Sequence, residues 1–231
     1  MKNFLKIFIS LSFISLCLFA CSILEEPDSE DTNRKKLEKL DKQFESQWSI
    51  HDRNRANTAI NETYLSQVEK EVFYYLNLMR INPPLFGRTY AKEFNGVIGW
   101  DKGYAFDERK KTLLQELEQL DSLPLIRPNE ILFESAECFA TEGGKQGLVG
   151  HDRSTTGCEQ LWDAECCHYA GCYTGYEIVM YLLIDVGKNN SELGHRRICL
   201  SDRYNYLGVA VRYHKRYEKN AVLDFSVNDL E

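Results

Sequence analysis

Apolar side chains recur every three or four residues over much of the chain, and this period predicts amphipathic α-helices. In residues 66–82 the apolar face includes Val72, Leu76 and Met79, and the sequence Asn82-Pro83-Pro84 ends the pattern because proline interrupts a helix. The other helices predicted in the same way cover residues 86–94, 108–121, 130–146 and 175–186.

The C-terminal part of the chain changes to an alternation of bulky and small residues, which predicts β-strands. The two predicted strands are residues 206–213 and 221–227, joined by a polar turn over residues 215–220. Helices gathered before a terminal hairpin indicate an α/β (α+β) fold. We therefore predict a three-layer α-β-α sandwich with a small antiparallel sheet.

The first twenty residues have the pattern of a lipoprotein signal peptide. Lys2 and Lys6 precede an uncharged run over residues 7–20, which is shorter than the roughly 20 residues that cross a bilayer core. The run ends Leu18-Phe19-Ala20-Cys21, which resembles the lipobox of bacterial lipoproteins. The resemblance implies cleavage before Cys21 and a lipid on its sulfur. An ordinary cleaved signal with a chance cysteine is the alternative.

Composition divides the chain after Cys21 into three parts. Residues 21–32 are polar and acidic, which is typical of a flexible tether. Residues 33–62 carry apolar residues at helical spacing and are predicted to form a helical stalk or an extra helix on the main domain. Residues 63–231 are long enough for one domain with a single core.

The charge of the mature chain excludes some partners. The sequence has 28 basic and 35 acidic residues, and loss of Lys2 and Lys6 with the signal leaves 26 against 35, a net charge of −9. Such a chain is expected to be repelled by nucleic acid and by anionic lipid head groups. The membrane contact is therefore expected through the lipid on Cys21, at the bacterial cell envelope, in the outer membrane or at the cell surface.

Six cysteines remain besides Cys17 and Cys21, an even number in a chain that carries an export signal. Disulfides are the usual state of cysteines outside the cytoplasm, although the group Cys166-Cys167-His168 with Cys172 has residue types that also bind zinc. Four of the six lie in residues 158–172, a segment rich in turn residues. The six disulfide candidates are Cys138, Cys158, Cys166, Cys167, Cys172 and Cys199.

Four strings in sequence order resemble the CAP domain, the SCP-like superfamily of cysteine-rich secretory, antigen 5 and pathogenesis-related proteins. Together they cover about residues 66 to 227, and they fit the bacterial branch. The resemblance implies a three-layer sandwich with an open groove. The strings are Asn77 to Pro83 with Phe86, Pro124-Leu125 before a helix that leads to Gly147 to Asp152, Leu193 to Ile198, and Leu207 to Val211.

The resemblance also implies a groove built from two histidines and two glutamates. His151 and His195 match the histidines, and Glu177 matches the second glutamate. The first glutamate aligns with Glu165, and Glu159 is the competing alignment. Histidine and carboxylate side chains suit zinc or another divalent metal. Of the other histidines, His168 is a substitute ligand, and His51 and His214 are expected at the surface.

Two functions are compatible with these residues. The first is an envelope-anchored binding module whose groove takes a divalent metal, or a lipid, sterol, peptide or protein ligand. The alternative is a metal-dependent hydrolase, a peptidase, in which Glu165 or Glu177 serves as the catalytic base. The loosened motif around Glu165 favours the binding module, because a catalytic site tolerates such changes poorly.

The lipid anchor gives the first testable prediction. Cells that express the full chain with labelled palmitate are expected to yield labelled protein, and Cys21→Ser is expected to remove the label because the acceptor sulfur is gone. Cys17→Ser is the matched control and should leave labelling unchanged. Equal labelling of the Cys21→Ser variant would contradict the lipobox interpretation.

Overall fold

The computed structural model describes residues 30–96, 104–170, 173–186 and 193–231. The predicted signal peptide, Cys21 and Cys172 lie outside these ranges. Within them, no helix combines the length and the apolar character needed to cross a bilayer. The helices are α1 (Glu30–Phe44), α2 (Ile50–Ala56), α3 (Gln67–Ile81), α4 (Pro83–Phe86, followed by a π-helical turn over Gly87–Ala91), α5 (Tyr104–Gln119), α6 (Glu130–Gln146), α7 (Gly175–Ile184) and α8 (Gly194–Cys199). The strands are β1 (Arg127–Pro128), β2 (Ala164–Tyr169), β3 (Tyr206–His214) and β4 (Glu218–Ser226).

The strands form one four-stranded sheet in the order β1-β3-β4-β2, packed against helices. The α/β prediction is confirmed, but the expected antiparallel sheet is mixed, because β1 runs parallel to β3 while the other pairs are antiparallel. The cause is the short strand β1, which was not predicted. It comes before α6 in the chain, so the connection to β3 is a crossover, and a crossover allows parallel pairing.

Helices cover both faces of the sheet. Asp224 of β4 is hydrogen-bonded to Ser135 of α6, and its cross-strand neighbour Glu165 shares that face. Side chains alternate along a strand, so Cys166 of β2 points to the other face, where its sulfur lies near α8. The helix α6 therefore forms one outer layer, and α7 and α8 belong to the other.

The strand β2 replaces the turn-rich segment expected from the sequence. Its residues pair along β4 from Ala164 opposite Phe225 to Tyr169 opposite Asn220. The strand lacks apolar alternation because its first four residues are all buried, including Glu165. A short run buried on both faces has no period by which it can be recognised.

The helix α1 packs onto the rest of the chain. Leu37 and Phe44 are buried, and Asp41 accepts hydrogen bonds from the hydroxyl groups of Tyr75 and Tyr90 at 2.8 and 2.9 Å. Burial raises the pKa of Asp41, and the two tyrosine hydrogen bonds partly offset that effect. Of the two possibilities for residues 33–62, the structure has the helix laid on the domain.

The boundary of the expected tether needs a correction. Residues 30–32 belong to α1, whereas the composition placed them in the flexible segment. Glu30 and Asp31 occupy the first turn, where a carboxylate interacts favourably with the positive end of the helix dipole. Acidic composition alone therefore did not distinguish a helix start from a tether.

Gly144 gives a prediction for the contact between α6 and β3. A Cβ at this position would lie 2.2 Å from the carbonyl oxygen of Tyr213, so Gly144→Ala must separate the helix from the strand. We expect a loss of about 3 kcal/mol or more in the free energy of unfolding, as for other overpacked positions. Chemical denaturation followed by circular dichroism measures it.

Gly143→Ala is the matched control, because it gains the same helix propensity in the same turn. Its Cβ would meet only the side chain of Phe139, at 3.2 Å. A much smaller change is expected, and equal losses for the two variants would contradict the close approach at Gly144.

Candidate metal centre

His151 lies in the loop that follows α6. Gly147 ends the helix with a left-handed backbone, and the hydroxyl of Tyr169 bonds both the N–H and the carbonyl of Gly150. The Nδ1 of His151 is then 2.7 Å from Oε1 of Glu165. The Glu165 carboxylate is buried, whereas 48% of the His151 side chain is exposed. The ring is thus fixed at one nitrogen and accessible elsewhere.

Arg153 connects this pair to the core of the domain. Its guanidinium forms a close ion pair with Glu165 and lies 2.9 Å from both carboxylate oxygens of Asp224. It also donates to the side chain and carbonyl of Ser135, and the Ser135 hydroxyl donates to Asp224 at 2.7 Å. Two neighbouring carboxylates therefore share one buried cation.

The pKa values of the two carboxyl groups shift in opposite directions. Burial acts to raise the pKa of Glu165, but hydrogen bonds from His151 and Arg153 outweigh it and lower the pKa below its usual value. Burial raises the pKa of Asp224 to about 8, with the charge of Glu165 acting in the same direction and Arg153 opposing it. Glu165 is thus the ionised partner of His151.

His195 is held in a similar way on the other face of the sheet. It follows the N-terminal Gly194 of α8, and its Nδ1 lies 2.9 Å from Oδ1 of Asp185. Asp185 ends α7 in the left-handed conformation (φ 60°), and its second oxygen accepts the backbone N–H of His195. The ring centroids of His151 and His195 are 6.2 Å apart, so the two imidazoles meet around the edge strand β2.

Cys167 and His168 lie on opposite faces of β2 beside these histidines. The Cys167 sulfur is 3.7 Å from Nδ1 of His151. Burial, followed by the charge of Glu165, raises the pKa of this thiol well above its usual value. Burial, together with the nearby His195, lowers the pKa of His168 to about 3, and its ring stacks on Tyr181.

The donor set fits a divalent metal. One ligand atom each from His151, Glu165 and Cys167 lie within 4.8 Å of one another, so this group could hold an ion. Imidazole, carboxylate and thiolate are all zinc ligands. Burial raises the pKa of the free Cys167 thiol, and a bound metal ion would favour loss of its proton.

Glu177 and Glu159 are not brought to this centre. Glu177 accepts the backbone N–H groups of Tyr173 and Thr174 in a capping box at the start of α7. It is eight residues, or about 12 Å of helix, from Asp185 at the end beside His195. Glu159 takes part through its backbone carbonyl, which accepts from Arg153, and its side chain is exposed. Of the two alignments, Glu165 is the residue that contacts His151.

The cysteines only partly follow the expected disulfides. Cys138 and Cys158 form a disulfide that ties α6 to the loop after His151. Cys166, Cys167 and Cys199 are buried free thiols in the structure, so these three candidates are corrected, and Cys172 lies outside the described residues. Cys166 and Cys167 are adjacent on a strand and point to opposite faces, so they do not pair with each other. Burial raises the pKa of the Cys166 thiol, and the neighbouring Cys199 acts in the same direction.

Sequence reasoning missed three residues that organise the site and misplaced one histidine. Arg153, Asp185 and Asp224 carry no motif of their own, although Arg153 is only two residues beyond His151. His214 was expected at the surface but is fully buried, with Nε2 2.7 Å from the carbonyl oxygen of Leu148. Its position in the alternating strand β3, on the face toward α6, explains the burial.

Comparisons of this chain with protein-family models, curated proteins and solved structures found no match.

Asp224 gives a pH prediction. Its pKa is about 8 in the folded protein and about 3.9 in an unfolded chain. Between these values the folded state binds the extra proton, so the free energy of unfolding should fall as pH rises from about 5 to 8. The pKa of Glu165 is lowered, so its ionised form contributes to the free energy of unfolding. That contribution is lost only below this window, as pH falls.

Asp224→Asn removes the titration, so its free energy of unfolding should depend less on pH across the same window. Denaturant unfolding at several pH values, with a chelator present, measures the slope. Asp121→Asn, an exposed position, serves as the control and should keep the wild-type slope. An unchanged slope in Asp224→Asn would show that another group dominates.

Proposed function

We propose that this chain is an envelope lipoprotein whose CAP-like domain binds a divalent metal, zinc by its donor chemistry, between His151 and His195. The observation that carries the proposal is the matched support of the two rings. Each Nδ1 is held by a buried carboxylate, Glu165 or Asp185, at 2.7 and 2.9 Å. Such carboxylates orient histidine ligands of metals and make them more basic.

The separation of the rings supports one shared ion. Zn–N bonds are about 2.0–2.1 Å long, so two imidazoles whose centroids are 6.2 Å apart are close enough to share one ion. His151 is half exposed and 26% of the His195 side chain is exposed, so an ion can enter from solvent. When bound, zinc would polarise a carbonyl or phosphoryl group of a ligand in the groove.

Binding is favoured over hydrolysis by the positions of the carboxylates. Glu177 caps α7 about 12 Å away along the helix. Glu165 already accepts from His151 and Arg153. These engagements leave neither glutamate as an available base, so the groove is proposed to present a metal for ligand binding at the envelope surface, tethered through Cys21.

Zinc titration of chelator-treated protein, followed by calorimetry and metal analysis, tests the proposal. One ion per chain is expected. His151→Ala and His195→Ala should each abolish or greatly weaken binding, and Asp185→Asn should weaken it about 10- to 100-fold because the ring loses its orienting partner. His51→Ala, an exposed histidine on α2, is the control and should bind as the wild type does.

Cobalt distinguishes the two possible donor sets. A thiolate-to-cobalt charge-transfer band that disappears in Cys167→Ser, with His195→Ala unaffected, would assign the ion to His151, Glu165 and Cys167 instead. Metal-dependent cleavage of a peptide library that is abolished by His195→Ala would replace the binding module with the hydrolase. Absence of any metal binding would refute the metal centre.

A further inference from the structure

The turn between β3 and β4 carries an exposed group of apolar and basic side chains, here called the hairpin-tip patch: Val149, Tyr213, Lys215, Arg216 and Tyr217. The exposed fractions of the three apolar members are 54% for Val149, 65% for Tyr213 and 40% for Tyr217. The bond from His214 to the Leu148 carbonyl places the Val149 loop beside the turn.

The cations of the patch are available to a partner. Among the described residues, the neighbouring Lys145 pairs with Glu142 and Lys219 with Glu30. Lys215 and Arg216 are exposed and form no ion pair in that part of the chain. They lie in the same turn as the exposed Tyr213 and Tyr217.

The chain also enters the folded body at this end. Glu30, the first residue of α1, lies 3.1 Å from the Lys219 ammonium, and Lys219 is the cross-strand neighbour of Tyr213. Cys21 is nine residues before Glu30, so extended chain between them spans at most about 32 Å. The opposite end of the hairpin is about 27 Å farther along the strands. A lipid on Cys21 thus brings the tip to the membrane more readily than the far end.

The chemistry of the patch suits the head-group layer of a bilayer. Tyrosine rings are amphipathic and concentrate at membrane interfaces, and lysine and arginine extend apolar stems while their charges reach phosphates. The net charge of −9 opposes approach overall. Screening over about 8 Å at physiological salt makes the charges nearest the head groups decisive, and the exposed charges of the turn are the cations Lys215 and Arg216 and one carboxylate, Glu218.

We propose that the hairpin-tip patch rests on the phospholipid head groups of the membrane that holds the Cys21 lipid. The proposal depends on that lipid anchor, which is part of the proposed function. It fixes an orientation: Asp224, the cross-strand neighbour of Glu165, is six residues from Glu218 at the tip end of β4, so the candidate metal centre stands about 20 Å back from the tip. The candidate centre is then held above the head groups at a set height.

Photo-crosslinking tests this orientation in the full lipidated chain, reconstituted into vesicles of phosphatidylethanolamine and phosphatidylglycerol. A benzophenone side chain replaces Tyr213 in one sample and Tyr206, at the far end of the same strand, in the control. Lipid adducts are read by mass spectrometry. The expected result is a clear excess of adducts at position 213 over position 206.

Charge variants test the chemistry. In the position-213 sample, Lys215→Gln with Arg216→Gln should reduce the adducts, since each basic residue near a lipid surface is worth about fivefold in partitioning. Arg127→Gln with Arg203→Gln changes the same charge at the other end and should leave the yield unchanged. Equal losses for both pairs would overturn a specific role of the tip.

Palmitate incorporation is measured on the same preparations, which separates the two ways of failing. Palmitate-labelled protein with equal adducts at positions 213 and 206 overturns the hairpin-tip proposal and leaves the lipoprotein assignment standing. Protein without palmitate refutes the anchor, and the orientation that rests on it falls as well. Labelled protein with adducts concentrated at position 213 supports both.

Discussion

The guanidinium of Arg153 is the interaction on which the site depends. Glu165 and Asp224 are cross-strand neighbours on one face of β2 and β4, and the charge of Glu165 contributes to the raised pKa of Asp224. Arg153 contacts both, and Ser135 extends the network into α6. Removing one partner of a buried ionic network leaves an uncompensated charge and costs several kcal/mol. Arg153 therefore stabilises the register of the edge strand and the position of α6. It also orients the Glu165 carboxylate that contacts His151.

The edge position of β2 explains how two faces of a sheet contribute to one centre. His151 arrives from the α6 layer and His195 from the α8 layer, and their rings meet 6.2 Å apart around the strand. If β2 were an interior strand, the neighbouring strands on both sides would keep the two imidazole rings apart. The two supports differ in kind: the carboxylate of Glu165 is fixed by a core network, whereas that of Asp185 is fixed by the end of a helix.

The same hairpin links the candidate metal centre to the start of α1. The strand β4 pairs with β2 at Glu165 and, at its other end, carries Lys219, which contacts the first residue of α1. The distance between site and tip is thus set by a rigid pair of strands.

The sequence by itself determined the features that rest on local chemistry. Helices α3, α6 and α7 follow from their apolar period and their stop signals, and the β3–β4 hairpin follows from alternation around a polar turn. The choice of His151 and His195 came from a family resemblance and stays a prediction. The capping box from Thr174 to Glu177 was also legible locally, but the family spacing suggested a ligand there instead. What the tertiary structure decided depends on residues distant in the chain. The segment β2 forms a strand because it pairs with β4, which lies over fifty residues later in the chain. His195 has Asp185 as its partner because α7 ends in a left-handed turn. Disulfide formation depends on the distances between cysteines, which no spacing along the chain specifies.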